Sequence, residues 1–479
     1  MFTITCANFL NDFQVGDFAI FSALGLSVEK GLVLFRDVFD HKGPLQFFIY
    51  AFAHYTGCFK LTIFLLEVIA CTVDLFFTYK IVRLFRLSSW GCYLPIIVFL
   101  FLLYATAGGG GRPECYSLPL TFSLLYLVLK CVVEDQNLQL WQWFLVGMFI
   151  GIHFMLKANN AAITCGLIIA VCILSSNKIT FLKVIKNSIA FFAGFVVLLI
   201  PFYVYFQRNE SMQYFLDATF LHNLKYATDS YKNGASFWTQ LFINTMPSLI
   251  SFFILYKIYS KNNHKVVVII FSVVLTGTLN MIIGRGFFYY YISYIPVIIM
   301  TVILCAIYFY RLNDRRVRVI FICLVGFSFI NYAMSSVRLV PYTFCFNFYP
   351  QGHRLTRINE EQVKEASLLR KSVPAEDYRS FWSYDVHPQI YPLSGLVPSI
   401  RYCILQSFQS KWNDDIPKYI SEQLRSNPPK WIAIPYSVKD GKVSIDVGHK
   451  ELKQLLHTEY ELYEVFPKGL RASLYRRKL

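Results

Sequence analysis

Charge is scarce in this chain. Asp, Glu, Lys and Arg make up 15% of its 479 residues, against about 25% in an average soluble domain. Acidic residues are the scarcer sign, 29 against 45 Lys plus Arg. No CxxC pair occurs, so the commonest thiolate metal and redox signatures are excluded. The first ten residues have no basic start and no small-residue cleavage pattern, so no cleavable leader is legible. There is no internal repeat, and Gly108–Gly111 is the one biased stretch. No Gly-rich phosphate loop follows a strand pattern. What fills the chain is apolar and aromatic: 56% hydrophobic residues, with 46 Phe and 32 Tyr. Mean hydropathy is +0.46. These values exclude a disordered chain, a collagen and a disulfide-dense module, and they predict an integral membrane protein of many spans. Cys71, Cys131, Cys165, Cys172, Cys305 and Cys323 sit inside apolar runs, where cysteine acts as a small hydrophobe.

A spanning helix needs about 20 mostly apolar residues. Ten stretches qualify: 61–79, 90–107, 117–133, 141–156, 161–176, 188–206, 240–257, 266–282, 291–310 and 319–335. The formal charge of +16 is then tested against the rule that Lys and Arg collect in cytoplasmic loops. Lys80, Arg83, Arg86, Lys178, Lys183, Lys186, Lys257, Lys261, Lys265, Arg311, Arg315, Arg316 and Arg318 all fall on one side. The other side holds Arg112, Lys157, Arg208, Lys225, Lys232 and Arg285. The first set is therefore cytoplasmic, and no nucleic-acid partner is implied. This orientation puts residues 1–60 and the C-terminal part outside. An external segment of that size needs a helix to deliver it, so a first transmembrane helix is expected to be missing before Met1, unless residues 45–57 insert as a short hairpin.

The expected organisation is a first extracytoplasmic loop with interfacial helices (1–60), a bundle of about ten helices (61–335) and a soluble extracytoplasmic α/β domain (336–479). In the last, charges become frequent and long apolar runs stop. Helical patterns fall at 359–371, 413–426 and 449–457, and strand-like runs at Trp431–Pro435 and Tyr460–Phe466. Asn427-Pro428-Pro429 and Asp440-Gly441 mark turns.

The external face carries the unusual residues. Phe18, Phe21, Leu24 and Val28 recur at helical spacing, which predicts an amphipathic helix starting at Asp17. Asp17 reads either as its N-cap or as a functional carboxylate. Arg36, Asp37, Asp40, His41 and Lys42 then crowd into seven residues. Gly43 permits a tight entry and Pro44 suits the first helical position, so Lys42 is held just before a helix N-terminus. Free N–H groups and the helix dipole favour an anion there, and a lysine beside them makes a phosphate site. The plainer reading of Lys42 is an interfacial anchor. Gly108-Gly109-Gly110-Gly111-Arg112-Pro113-Glu114 puts Glu114 in the first turn of the next helix, as dipole complement or as second carboxylate. Lys157, Asn159 and Asn160 separate two spans with almost no loop, and ionisable groups at membrane depth line cavities or pair. Arg285 precedes the aromatic run Phe287–Tyr291, as lipid-phosphate ligand or as interfacial anchor.

This order of an external Asp, a Lys-Gly-Pro entry and an acid after the second following span resembles the family 39-like glycosyltransferases of the GT-C class. The Lys-Gly-Pro element is similar to the Lys-Pro-Pro of bacterial lipid A aminoarabinose transferases, relatives of the protein O-mannosyltransferases. Arg36–Pro44 with Arg112-Pro113-Glu114 is closer still to family 39-like proteins of bacterial surface-polysaccharide loci. The family often has Asp-Glu at the catalytic position, whereas Asp17 is followed here by Phe18. The resemblance implies a GT-C transmembrane bundle in the cytoplasmic membrane, its active site and C-terminal domain facing outside. It implies a polyprenyl-phosphate-linked sugar as donor and a glycan, lipid or protein as acceptor. Asp17 and Glu114 are the implied catalytic pair, Asp17 as base. Lys42 and Arg285 would hold the donor phosphate, with Arg36 and Arg112 as helpers. Asp37, Asp40, His41, Lys157, Asn159 and Tyr291 are candidates for the substrate cavity. No cofactor is expected, and no cluster has convincing metal-ligand spacing. The competing readings are a flippase or transporter of lipid-linked sugars, a nonenzymatic receptor, and a polymerase whose site lies in 207–239 at Arg208, Glu210, Asp217, His222 and Lys225.

Overall fold

A computed structural model describes residues 16–87, 89–106, 110–175, 180–228, 235–258, 264–283, 290–311, 354–411, 413–445 and 447–478. The described helices begin with α1 (Asp17–Glu29), α2 (Pro44–Tyr55), α3 (Phe59–Leu84), α4 (Ser89–Thr106) and α5 (Pro113–Val133). They continue with α6 (Leu140–Lys157), α7 (Ala162–Ser175), α8 (Phe181–Arg208), α9 (Met212–Leu216) and α10 (His222–Thr228). Helices α11 (Ala235–Ile258), α12 (His264–Ile283) and α13 (Tyr290–Arg311) follow. Among the described residues, six helical stretches are long and apolar enough to cross a membrane, one of them the joined run Leu140–Leu174, and Tyr93–Leu103 and Thr245–Ile258 are shorter apolar helices. The chain is an integral membrane protein of mostly helical build with a small C-terminal sheet. The expected spans up to 291–310 each fall on one of these helices, while 319–335 lies outside the described residues.

The chain forms two compact units. The membrane unit comprises Phe64–Phe202 and Lys232–Phe344. Its centre is α13, whose residues Ile295, Val297, Ile298, Ile299 and Met300 are fully buried. A helix apolar all round can be covered on every side at no polar cost. Its polar positions are satisfied laterally: Ser251 and Thr301 hydroxyls meet at 2.8 Å, and Ser248 bonds both Tyr294 and Thr278. Helix α8 is the opposite case. Phe181, Leu182, Ile189, Phe192 and Tyr203 are exposed along it, the pattern of a lipid-facing helix.

The second unit is composite. It joins Cys6–Ile63, Tyr203–Tyr231 and Cys345–Leu479. Its C-terminal part holds the helices Arg354–Ser372, Asp415–Ser426 and Lys450–Thr458 and the strands β1 (Phe381–Ser383), β2 (Trp431–Pro435), β3 (Val438–Lys439), β4 (Lys442–Val443), β5 (Tyr460–Phe466) and β6 (Ala472–Arg477). The main sheet runs β1-β2-β6-β5, with β1 parallel to β2 and the other pairs antiparallel. β3 and β4 form the hairpin at Asp440-Gly441, both of which have positive φ. Trp382 and Tyr391 are fully buried in this domain's core, the Tyr391 hydroxyl accepting the Ser383 N–H at 3.0 Å.

Helix α1 departs from its predicted form. Every residue from Phe18 to Ser27 is buried, so the one-sided apolar stripe read from the sequence is really a helix covered all round. Its small residues Ala19, Ser22, Ala23 and Gly25 let neighbours close over the remaining faces, and α2 is the main one.

Candidate active site

Gly16 occupies the cap position of α1, with φ +50, and no side-chain cap bond forms there. Asp17 therefore lies in the first helical turn and is not the N-cap. Along the helix, the Phe18 and Phe21 rings both pack edge-on to Tyr50 of α2, at 5.4 and 5.6 Å. Buried lysines sit over these rings, Lys60 Nζ 4.7 Å from Phe18 and Lys42 Nζ 5.1 Å from Phe21. Lys60 was not singled out by sequence reasoning, because a lone lysine at the start of a span looks like an anchor.

The loop between α1 and α2 is tightly organised. Asp37 accepts the Val33 N–H at 2.7 Å and two bonds from Arg36, at 2.8 and 3.1 Å. Arg36 also donates to the Asn209 carbonyl at 3.0 Å, so this pair fastens the loop to the segment after α8. Phe35 has φ +66, unfavourable for a bulky side chain. It is held there by burial against Phe47, Phe206 and Phe215.

Asp40 and Lys42 are both buried, and a buried charge must be paired. One oxygen does most of this: Asp40 Oδ1 accepts the backbone N–H groups of His41 and Lys42 at 2.7 and 3.0 Å and lies 3.5 Å from Lys42 Nζ. Burial pushes the Asp40 carboxyl up, but the charges of Lys42 and His41 and the Lys42 N–H outweigh it and hold it below the usual carboxylate range. The charge of Asp17 works against them, so Asp17 is felt at this site. Gly43 then caps α2 in extended conformation, and Pro44 occupies the first helical turn. His41 stacks on His222 with ring centroids 5.6 Å apart, and the Asn223 amide donates to its carbonyl at 2.7 Å.

A second polar cluster lies within the membrane unit. Arg112 caps α5, Pro113 opens it, and Glu114 sits in its first turn. Lys157 Nζ donates to Glu114 Oε1 at 2.5 Å, and this carboxylate is almost fully buried. Asn160 donates to Ser117 Oγ at 2.8 Å and accepts from Ser293 Oγ at 3.2 Å. Asn159 lies in the turn Ala158–Ala161, and its buried Oδ1 has no hydrogen bond among the described residues. Arg112 and Tyr291 are buried as well. Glu67 of α3, unnoticed in the sequence, accepts the Gly111 N–H. Gly110 has φ +69, where any side chain would be strained, and a Cβ there would lie 2.5 Å from the Glu67 carboxylate. A lone carboxylate inside an apolar run was the available signal. Arg285, Gly108 and Gly109 lie outside the described residues. Asp17, Asp37, Asp40, His41 and Lys42 thus share one unit, and Glu114, Lys157 and Asn159 the other.

No known family profile matches the chain, and no curated protein matches its sequence. Solved structures match its fold. ArnT from Cupriavidus metallidurans bound to undecaprenyl phosphate superposes over 99% of this chain and 95% of its own, with a TM-score of 0.62 and 11% identity. The apo state of that ArnT covers 95% of this chain and 92% of its own, with a TM-score of 0.51 and 11% identity. The chain has the ArnT fold. This is the GT-C architecture that the sequence resemblance implied, and at such low identity the likeness establishes the fold alone.

Proposed function

We propose that this chain is a membrane glycosyltransferase that moves a sugar from a polyprenyl-phosphate carrier to an acceptor hydroxyl on the extracytoplasmic side of the cytoplasmic membrane. The observation that carries this reading is Lys42: a buried cation before the N-terminus of α2, in one compact unit with Asp17, on a chain with the ArnT fold. ArnT itself has been seen with undecaprenyl phosphate, and a phosphate is what such a lysine and helix end would attract.

In this reading an acceptor hydroxyl attacks the anomeric carbon from the face opposite the phosphate, and the configuration inverts. An alcohol is a weak nucleophile, so Asp17 takes its proton as the new C–O bond forms. The bond to the phosphate oxygen breaks, and that oxygen keeps the electron pair. Phosphate is already a weak base and needs cations in place of a general acid. Lys42 and Arg285 would neutralise the growing charge. Arg36, engaged with Asp37 and Asn209, would hold the loop, and Arg112 would serve as a helper cation. Glu114, gripped by Lys157, would orient the acceptor.

The test is sugar transfer in membranes carrying Asp17→Asn, supplied with labelled polyprenyl-phosphate sugars. Transfer should be abolished while the protein stays at normal abundance in the membrane. Normal transfer by that variant would remove Asp17 from the mechanism, and no transfer from any such donor by the unaltered protein would remove the assignment.

A further inference from the structure

The loop carrying Asp40 and Lys42 is held from a distant part of the chain. At its start, Arg379 Nη2 donates to the Lys30 carbonyl at 2.8 Å. Near its end, the Phe39 N–H donates to the Arg401 carbonyl at 3.1 Å. The Arg401 guanidinium lies 5.2 Å from the Phe39 ring centroid, 4.9 Å from Tyr214 and 5.2 Å from Tyr402. Tyr402 meets Phe39 itself, with centroids 4.9 Å apart. The short helix Ile390–Ser394 packs against α1. These contacts belong to one compact unit.

Arg401 differs from the other arginines that fasten this loop. Its Nε is buried with no hydrogen bond among the described residues. Arg36 and Arg379 grip by hydrogen bonds, whereas Arg401 presents a flat cation to three rings. A planar group clamped this way fixes the plane of Phe39, and Phe39 immediately precedes Asp40. The same loop holds Phe35 at φ +66, a conformation that persists only in tightly packed surroundings.

We propose that the C-terminal domain acts as a clamp that sets the loop from Gly31 to Gly43, and that Arg401 is its positioning residue, acting through Phe39 on the Asp40–Lys42 turn. The clamp itself stands apart from the proposed reaction; only its effect on transfer rests on that reading.

The deciding experiment is amide hydrogen exchange on the intact protein in lipid nanodiscs, for Arg401→Ala, Arg401→Lys, Phe39→Ala and the double variant Arg401→Ala with Phe39→Ala. Exchange across 31–43 should speed up about tenfold or more in each alanine variant. The double variant should add less than the sum of the two, because both changes break the shared Arg401–Phe39 contact. Arg401→Lys, which keeps a cation over the rings, should recover part of the protection. Amides of β2 and of the helix Asp415–Ser426 should exchange as before. Unchanged protection of the loop would overturn the clamp. So would loosening of the whole C-terminal domain together with the loop, which would make Arg401 a general stabiliser. In the transfer assay, kcat should fall about tenfold or more while the donor KM stays within about threefold, because a misplaced cation costs rate more than binding. If the unaltered protein transfers no sugar, the proposed function fails, and the exchange arm still decides the clamp.

Discussion

Lys42 Nζ lies 3.5 Å from Asp40 Oδ1, the same oxygen that takes the backbone N–H groups of His41 and Lys42. One carboxylate therefore shapes the turn and also pairs with a buried lysine. In the proposed function, Lys42 held in this way would receive the donor phosphate as a second anion at the entrance of α2.

Lys42→Met removes the cation and leaves the apolar stem. Turnover should drop by about 100-fold or more, the usual loss when a charge-stabilising donor is deleted. Asp40→Asn keeps an oxygen for the N–H groups but lowers the charge, and a loss of about tenfold is expected. Steady-state transfer kinetics on purified protein check both, and wild-type turnover in the lysine variant would take Lys42 out of the site.

The buried Glu114 pairs with the half-buried Lys157. Breaking such a pair by removing one partner costs up to about 3–5 kcal/mol, while removing both costs far less. Glu114→Gln and Lys157→Met should each lower the thermal unfolding temperature, and the double variant should recover most of it. Transfer should stay impaired in the double variant, because the carboxylate proposed to orient the acceptor is gone. Recovery of both together would reduce the pair to a structural role.

Burial pushes His54 down to about 4, against a bond to the Ser22 carbonyl that pulls it up. In the unfolded chain it titrates near 6.5, so below that value the unfolded state binds the extra proton. Stability is then fully present above about 6.5 and falls as pH drops towards 4, by at most about 3 kcal/mol. Urea unfolding between pH 7 and 4 should show this slope, and His54→Gln should flatten it. An unchanged slope in the variant would assign the loss to other groups.

At Gly25, in the middle of α1, a Cβ would lie 2.5 Å from Tyr50 Cβ and 2.8 Å from the Tyr50 carbonyl carbon. In an open helix, Gly→Ala stabilises by up to about 1 kcal/mol. Here the sign should reverse, with a loss of about 1–3 kcal/mol from overpacking. Calorimetry on Gly25→Ala reads that sign directly, and a rise in melting temperature would mean that α1 and α2 can separate at little cost.

Much of the fold was legible because its signals are local. Apolar runs of spanning length placed the helices from 61–79 through 291–310. Pro44 and Pro113 marked the starts of α2 and α5, since a missing N–H costs nothing in a first turn. In the C-terminal domain the runs Trp431–Pro435 and Tyr460–Phe466 are β2 and β5. Strand β6 lies between them in the sheet yet was missed, because its Ala-Ser-Leu-Tyr-Arg-Arg sequence lacks an alternating pattern. Strand β1 is only three residues long and takes its shape from pairing with β2.

By itself the sequence determined that this is a membrane protein of many spans with polar residues gathered in a few short motifs, because hydropathy and caps are properties of neighbouring residues. Only the tertiary structure decided which partners those residues take. Asp40 turns out to hold Lys42, Glu114 to meet Lys157 across 43 positions, and Phe39 to rest on Arg401 from the far end of the chain. Such pairings follow from packing between segments remote in sequence, and a buried charge accepts whatever counter-charge the fold delivers to it.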